Sequence, residues 1–419
     1  MQHVVIVGAG IVGVSTGIWL QRAGYRVTIV DRDGPAAGAS FGNAGVLAAG
    51  AFVPVTVPGI LRKAPGMLWD ADAPLFLRWG YLPRLLPWLR RYLGYARMDH
   101  VYDYARHMAT LLADSQAQHK ALAAGTGAER FIGDEDYVFG YPTDAAAQAD
   151  AWGFDLRRDH GVRFTAMSGR DYQDIDPIFG NAFARVVICH DHGRISDPGA
   201  YLQALFNHLI AQGAAFERAT VEDVIRDSLD TGVIRALKTD RGLIEGDAVV
   251  LATGAWSKPL AARLGADLPL EAERGYHIEL IEPSATPKNP VMVAQGKFVI
   301  TPMDGRIRCA GVVEFGGLTP AKSAAPLAML RRQVARFLPD VTYTRMDDWV
   351  GHRPALASSF PVLGPTAPGA NGYLALGHQH VGLTGGPKSG RIIADQITGV
   401  ATNLDLAAFD PAQYKKDVA

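Results

Sequence analysis

The chain has 419 residues, enough for about two domains of ordinary size. Its 48% hydrophobic and 20% charged residues are those of a folded globular chain and exclude global disorder. Lys+Arg 41 against Asp+Glu 42 leaves a net charge of -1, without the basic excess of a nucleic-acid binder, and the two cysteines, Cys189 and Cys309, make neither a disulfide scaffold nor a four-cysteine zinc site.

The chain opens with the apolar run Val4–Val7, too short for a signal h-region or a membrane span, and reads as a buried parallel strand. Gly8-Ala9-Gly10-Ile11-Val12-Gly13 follows, a complete G-x-G-x-x-G. A helix pattern from Ile11 to Ala23 and a second strand, Arg26–Val30, ending in Asp31, complete one βαβ unit. In that context Gly8 makes the tight turn, Gly10 admits a pyrophosphate to the backbone, and Gly13 lets helix and strand pack closely. Asp31 is placed to accept hydrogen bonds from an unphosphorylated ribose, as in FAD or NAD. The small, polar stretch Gly38–Gly45, containing Ser40, Asn43, Ala44 and Gly45, suits a cradle along an extended cofactor and favours FAD.

Residues 75–97 hold five arginines and six aromatics with no acid. Pro83 and Pro87 argue against one straight helix, and the composition suits an interfacial segment on an anionic membrane. Thr110–Ala124 reads as a helix, 131–192 as short strands and turns, and Tyr201–Ala211 as another helix. Cys189-His190-Asp191-His192 would alternate across a strand and lacks a third ligand on one face, so no metal is expected. Ala248–Thr253 is a buried strand running into Ala252-Thr253-Gly254, small residues that let the backbone approach a ligand. Glu273–His277 begins a further strand, and Arg306–Gly311, with Cys309, alternates as another. Arg353 stands between His352 and Pro354 in Gly351-His352-Arg353-Pro354, a segment with few other charges. Gly377-His378-Gln379-His380-Val381-Gly382-Leu383-Thr384 leads through Gly385 and Gly386 to Pro387, which suits the first position of a helix Lys388–Ile397.

In this order the fingerprint, the Ser40–Gly45 cradle, Leu251–Ser257, Gly351–Pro354 and Gly377–Thr384 resemble the D-amino-acid oxidase superfamily of FAD-dependent oxidoreductases, and within it the bacterial D-amino-acid dehydrogenases of the small-subunit type. The resemblance implies an α/β chain: a Rossmann-like, glutathione-reductase-like FAD-binding domain (1–80, 194–268 and 347–419) with an inserted α+β substrate domain on a mixed or antiparallel sheet (81–193 and 269–346). It implies non-covalent FAD, held by Gly8, Gly10, Ile11, Val12, Gly13, Asp31 and Arg32, by Ser40, Asn43, Ala44, Gly45, Val46 and Leu47, by Val221, Ala252, Thr253, Gly254 and Trp256, and by His378, Val381, Gly382, Leu383 and Thr384. Arg353 would hold the substrate carboxylate and Tyr276 would donate to it or cap the pocket. The implied reaction is oxidative deamination of D-amino acids, with D-proline and hydroxy-D-proline among the candidates. A hydride passes from Cα to flavin N5, and the imine hydrolyses to a 2-oxo acid and ammonia. Electrons would pass to a quinone or another redox carrier, in the cytoplasm or on the cytoplasmic face of the inner membrane. Alternatives are an oxygen-using oxidase of the same fold for glycine, sarcosine or D-amino acids, and a non-enzymatic flavin-binding protein. One departure stands out: the family commonly has glycine where this chain has Gln379.

Overall fold

The computed structural model describes residues 1–60, 66, 72–227 and 233–414. Parts of the expected domain ranges, 61–65, 67–71, 228–232 and 415–419, lie outside the described residues. The first strand, β1 (His3–Val7), is followed by helix α1 (Ile11–Arg22) and strand β2 (Arg26–Val30), paired parallel with β1 from His3↔Arg26 to Val7↔Val30. They sit in a six-stranded sheet of order Val362–Pro365, Gly372–Leu376, Ala248–Leu251, β1, β2, Ala215–Glu217, parallel except at the Val362–Pro365 edge. The near-continuous Val/Ile runs of β1 and β2 follow from burial on both faces.

A second, larger sheet runs Arg345–Leu356, Leu270–Ile281, Arg306–Phe315, Phe298–Met303, Val291–Val293, Tyr137–Tyr141, Arg185–Cys189, Phe164–Ser168, with Leu75–Leu77 added to Arg306–Phe315. It is mixed, mostly antiparallel. Its far face packs Tyr276, Ile278 and Leu280 against Leu330 and Val334 of the helix Ala324–Phe337.

Packing redraws the expected division at two places. Arg345–Leu356 pairs along its length with Leu270–Ile281, so 347–356 belongs to the larger sheet. Helices Met98–Leu112 and Ser115–Ala123 bury Val101, Met108, Leu111 and Leu122 in one core with Ile11, Val14 and Ile18 of α1, although they fall within 81–193. The single helix expected over Thr110–Ala124 is broken at Ala113–Asp114, where Lys388 Nζ reaches both Thr110 O (2.6 Å) and Asp114 Oδ1 (2.9 Å). Between 131 and 192 three short helices, Asp144–Ala149, Ala151–Asp159 and Gly169–Ile175, accompany the expected strands.

Residues 75–97 do not form one helix, since Leu75–Leu77 is a strand, but Pro87 and Pro387 each lie inside a helix. Leu82–Gly94 is one helix, with Pro83 in its first turn and Pro87 within. The carbonyl that Pro87 leaves unpaired belongs to Pro83, which is exposed to solvent. The C-terminal helix begins at Gly382 rather than Lys388 and runs to Thr398 through Pro387. Pro387 cannot donate to Leu383 O; His119 Nε2 meets that carbonyl at 2.9 Å, and its Nδ1 meets Tyr201 Oη at 2.8 Å. His119 is fully buried, and burial pulls its pKa down to about 4.

Removing the imidazole in His119→Ala leaves Leu383 O without a donor and is expected to cost about 1–3 kcal/mol in urea unfolding. The folded state holds this ring neutral while the unfolded chain protonates near pH 6.5. Its contribution is therefore full above about pH 6.5 and is lost as pH falls toward 4. The unfolding midpoint should drop through that window, less steeply in the variant.

Candidate functional site

Helices α1 and Gly382–Thr398 lie against each other through positions that have no room for a side chain. A Cβ at Gly390 would stand 2.6 Å from Thr16 N, and one at Gly386 3.0 Å from Ile11 Cγ1. A Cβ at Gly13 would stand 2.0 Å from Gly8 O, so α1 also presses onto the end of β1. Both helices thereby point their first turns into one cavity of about 690 Å³. Each first turn brings unpaired N–H groups and the positive end of a dipole. Ser40 Oγ takes one of them, from Ile11 N (3.0 Å).

One side of the cavity is built by the C-terminal ends of the parallel strands. Gly8, Gly10, Ile11, Val12, Asp31 and Arg32 line it, as do Val221, Ala252, Thr253, Gly254 and Trp256. The Arg32 guanidinium lies 4.6 Å over the Trp256 ring. Asp31 already accepts from Ala9 N, Asp33 N and Gly34 N (2.8, 2.8 and 2.9 Å), which leaves room for about one more donor. Ser40, Asn43, Ala44, Gly45 and Val46 form a second wall, and His378, Val381, Gly382, Leu383 and Thr384 a third. Asn43 shapes its own loop, donating to Ser40 O (2.8 Å) and accepting from Gly45 N (2.9 Å). Two expected contacts fall elsewhere. Gly13 works through packing, and Leu47 is buried in the core with its N–H on Gly193 O (3.0 Å).

The near face of the larger sheet closes the cavity. Alternation places Gly275, Val299, Ala310, Met292 and Phe139 along it, with Gly351 and Arg353 on the adjoining strand. Arg353 donates to Val312 O (2.8 Å) and Gly311 O (3.3 Å), carbonyls aimed by a bulge at which Val312 has φ +55°. A Cβ at Gly275 would meet the guanidinium at 2.3 Å, so this glycine makes room for Arg353. Burial works against the Arg353 cation, and Glu273, its cross-strand neighbour, supports it.

Tyr276 is corrected. It borders the cavity, but its hydroxyl belongs to the far face, where it donates to Glu314 Oε2 (2.6 Å) and accepts from Arg274 Nη2 (2.9 Å). A residue one position from Gly275 on a strand must face the other way. Cys309 likewise lies in the far core and does not line the cavity. The Cys189–His192 cluster does not alternate as expected. The strand ends at Cys189, Asp191 turns at φ +61°, His190 pairs with Asp136 (3.0 Å), and His192 enters the cavity wall. Gln379 occupies the left-handed region (φ +45°) that glycine favours, held by Gln379 N to Pro354 O (3.1 Å) and Nε2 to Leu356 O (3.0 Å).

Several contributors were not singled out from sequence. Arg308, 0% exposed, donates to Phe41 O (3.0 Å) and Asn43 O (2.7 Å), and His277 Nδ1 meets Gly42 O (2.9 Å). Three consecutive cradle carbonyls are thus held from the larger sheet. Arg157 Nε donates to Gly50 O (3.1 Å) and His192 Nε2 accepts from Gly50 N (3.3 Å), which pins the adjoining stretch. The alternating pattern of Arg306–Gly311 marked Arg308 as a strand residue, but its burial depends on strands distant in sequence.

Comparison with known proteins supplies the assignment. A family model described as DAO, FAD dependent oxidoreductase, matches residues 3–396. The chain belongs to this family. It is similar to a D-amino-acid oxidase of Bradyrhizobium diazoefficiens, 35% identical over 99% of each chain, and to a D-amino acid dehydrogenase of Allorhizobium ampelinum, 30% identical over 99% of each. Among solved structures it shares the fold of glycine oxidase from Geobacillus kaustophilus (TM-score 0.76, 22% identity, 99% of this chain and 100% of that one). L-proline dehydrogenase from P.horikoshii also matches (TM-score 0.73, 18% identity, 98% and 97%).

The cavity fits FAD. Gly8, Gly42 and Gly45 line it where a Cβ would stand under 3.0 Å from its neighbours, and two helix N-termini offer donors to groups that carry negative charge. Replacing Arg308 by Gln frees the Phe41 and Asn43 carbonyls and is expected to weaken FAD retention about 10–100-fold, the effect of losing one or two charged hydrogen bonds. Fluorescence of flavin released on dialysis measures it.

Proposed function

We propose that this DAO-family enzyme oxidises D-amino acids by FAD-dependent oxidative deamination and that electrons leave to a quinone or another redox carrier. The observation that carries the substrate class is Arg353: a buried guanidinium in the cavity wall, beside Gly275 and near the C-terminal helix start. Such a group suits a carboxylate held in a fixed orientation. Both relatives named above, an oxidase and a dehydrogenase, act on D-amino acids by their names. When bound, FAD supplies a hydride acceptor for the substrate Cα–H. The protein's part is to bind the carboxylate at Arg353, to surround the side chain with Phe139, Met292, Val299 and Ala310, and to present helix N–H groups where negative charge accumulates. The remaining assignments of FAD-contacting residues rest on the same cavity, and the two-domain division is proposed with Arg345–Leu356 moved to the substrate sheet and Met98–Ala123 to the nucleotide side.

A second reading, oxygen as acceptor, is favoured by the 35% identical relative being named an oxidase. Anaerobic bleaching of the flavin by a panel of paired D- and L-amino acids, with both prolines, glycine and sarcosine, tests the substrate class; bleaching by L-enantiomers alone would overturn it. Peroxide formed on admitting air separates oxidase from dehydrogenase. Arg353→Ala is expected to lower kcat/KM by about 10²–10³, the loss of a bidentate charged pair.

Contact with an anionic membrane is proposed for the segment 75–97. Trp88 and Tyr92 stack inward (4.6 Å), with Trp88 Nε1 on Ala355 O, whereas Trp79 (58% exposed), Leu86 (52%), Arg84, Arg90 and Arg91 face outward. Among the described residues no helix is long and apolar enough to cross a membrane. Sedimentation with anionic vesicles should carry the holoenzyme down at low salt and release it at high salt; replacing the three arginines of the helix by Gln should abolish the effect.

A further inference from the structure

On the same wall as Arg353 lies a pair of titratable groups that carboxylate binding does not use. Glu273 is almost wholly buried on the strand Leu270–Ile281, directly opposite Arg353 in register. His380 approaches Arg353 from the other side. The antiparallel bridge between Ala355 and His378, continued by Gln379 N to Pro354 O, carries the chain to His380 alongside Arg353. Across the guanidinium row, His380 Nε2 stands 2.7 Å from Glu273 Oε2. Glu273 is behind the wall, while His380 lines the cavity with its side chain 36% exposed.

The two ends of this imidazole differ. Nε2 is the nitrogen that stands next to the carboxylate, and a proton placed there leaves the Nδ1 lone pair as an acceptor. Among the described residues no protein group bonds Nδ1. Burial disfavours the Glu273 carboxylate, but His380 and Arg353 more than offset this and hold its carboxyl below the usual range. Glu271 on the same strand and Tyr92 from the helix Leu82–Gly94 also face this carboxylate. The other histidine of the loop is excluded from such work. His378 spends Nε2 on Ser389 Oγ (2.8 Å), and burial pulls its pKa down to about 4.

We infer that Glu273 and His380 form a proton-accepting dyad for the substrate amine, an inference that rests on the amino-acid reading of Arg353. In an amino acid the amine and the carboxylate sit on one carbon, so a carboxylate on Arg353 brings the ammonium to the groups beside Arg353. His380 Nδ1 takes one proton from the –NH₃⁺ group, leaving the neutral amine whose lone pair assists loss of the Cα hydride. Glu273 stabilises the resulting imidazolium through Nε2–H, as a carboxylate does for any histidine base. The imidazolium returns its proton to water before the next turnover, so charge and protons balance. His380 acts on the substrate; Glu273 acts through His380 and is a positioning residue.

The test is the pH dependence of anaerobic flavin reduction in stopped flow, with wild type, His380→Asn and Glu273→Gln holoenzymes. At neutral pH His380→Asn is expected to reduce about 10²–10⁴-fold more slowly, the usual worth of a positioned base. Above the pKa of the free amine it should recover, because the substrate then arrives without the extra proton. Glu273→Gln should show a smaller deficit with the same alkaline recovery. In His380→Asn, binding of propanoate, which has the carboxylate and no amine, should be unchanged when read from perturbation of the flavin absorbance. A deficit of equal size at every pH, or none at neutral pH, overturns the dyad. If His380→Asn loses its flavin, the Glu273→Gln profile decides by the same criterion. Failure of every D-amino acid to bleach wild type at any pH overturns the amino-acid reading, and with it the dyad.

Discussion

The contact on which the site depends is α1 against the helix Gly382–Thr398, closed to the point that Gly390 admits no Cβ and one at Gly386 would press on Ile11. Two helices normally stand apart by the width of their side chains. Here glycine removes that spacing, and two first turns with unpaired N–H groups reach one cavity. The tight approach also sets the course of the second helix. It must start at Gly382 and pass through Pro387, and the carbonyl this leaves open is met by His119, buried and neutral beneath it. A cofactor site thus reaches back, by one hydrogen bond, into the core of helices Met98–Leu112 and Ser115–Ala123.

The larger sheet works through its two faces. Its far face carries, beside its hydrophobic core, the buried group of Arg274, Glu314 and Tyr276, which also holds the 316–323 loop through Arg274 Nη1 to Thr319 O (2.6 Å). Its near face carries Arg308 and His277 toward the cradle carbonyls, Arg353 to the cavity wall and Glu273 behind it. A charged group buried without partners would be costly. Each of these has a partner: Arg308 has Glu279 (2.8 Å), Glu273 has His380, and Arg274 has Glu314. The near face holds the 41–43 loop and the guanidinium proposed to receive the substrate, so one surface relates the two.

Much of this was legible in the sequence because it is local. Short apolar runs disclosed β1 and β2, a helix pattern disclosed α1, and the glycine spacing of 8–13 disclosed a turn, a helix start and a close approach, all within one short stretch. Most of the residues assigned to the cofactor line the cavity for the same reason: they sit at strand ends and helix starts, which the chain marks by composition. Gln379 fitted less easily, and the backbone explains it, since two hydrogen bonds stabilise a left-handed conformation that glycine would adopt without cost.

Register and face between distant strands decided the rest. Tyr276 and Gly275 are neighbours in the chain and lie on opposite faces of the sheet, and only the packing of the helix Ala324–Phe337 determines which face is the core. Leu47 closes a run of cavity residues, yet pairing with Gly193 turns it inward. Glu273, Arg353 and His380 are separated by 80 and 27 residues and meet through two antiparallel pairings that no local pattern encodes. By itself the sequence determined which strand ends and helix starts come to line the cavity, because apolar runs and glycine spacing act over a few residues. The tertiary structure alone decided which side chains share a surface, because that is set by hydrogen-bond register and by which face of each strand is buried.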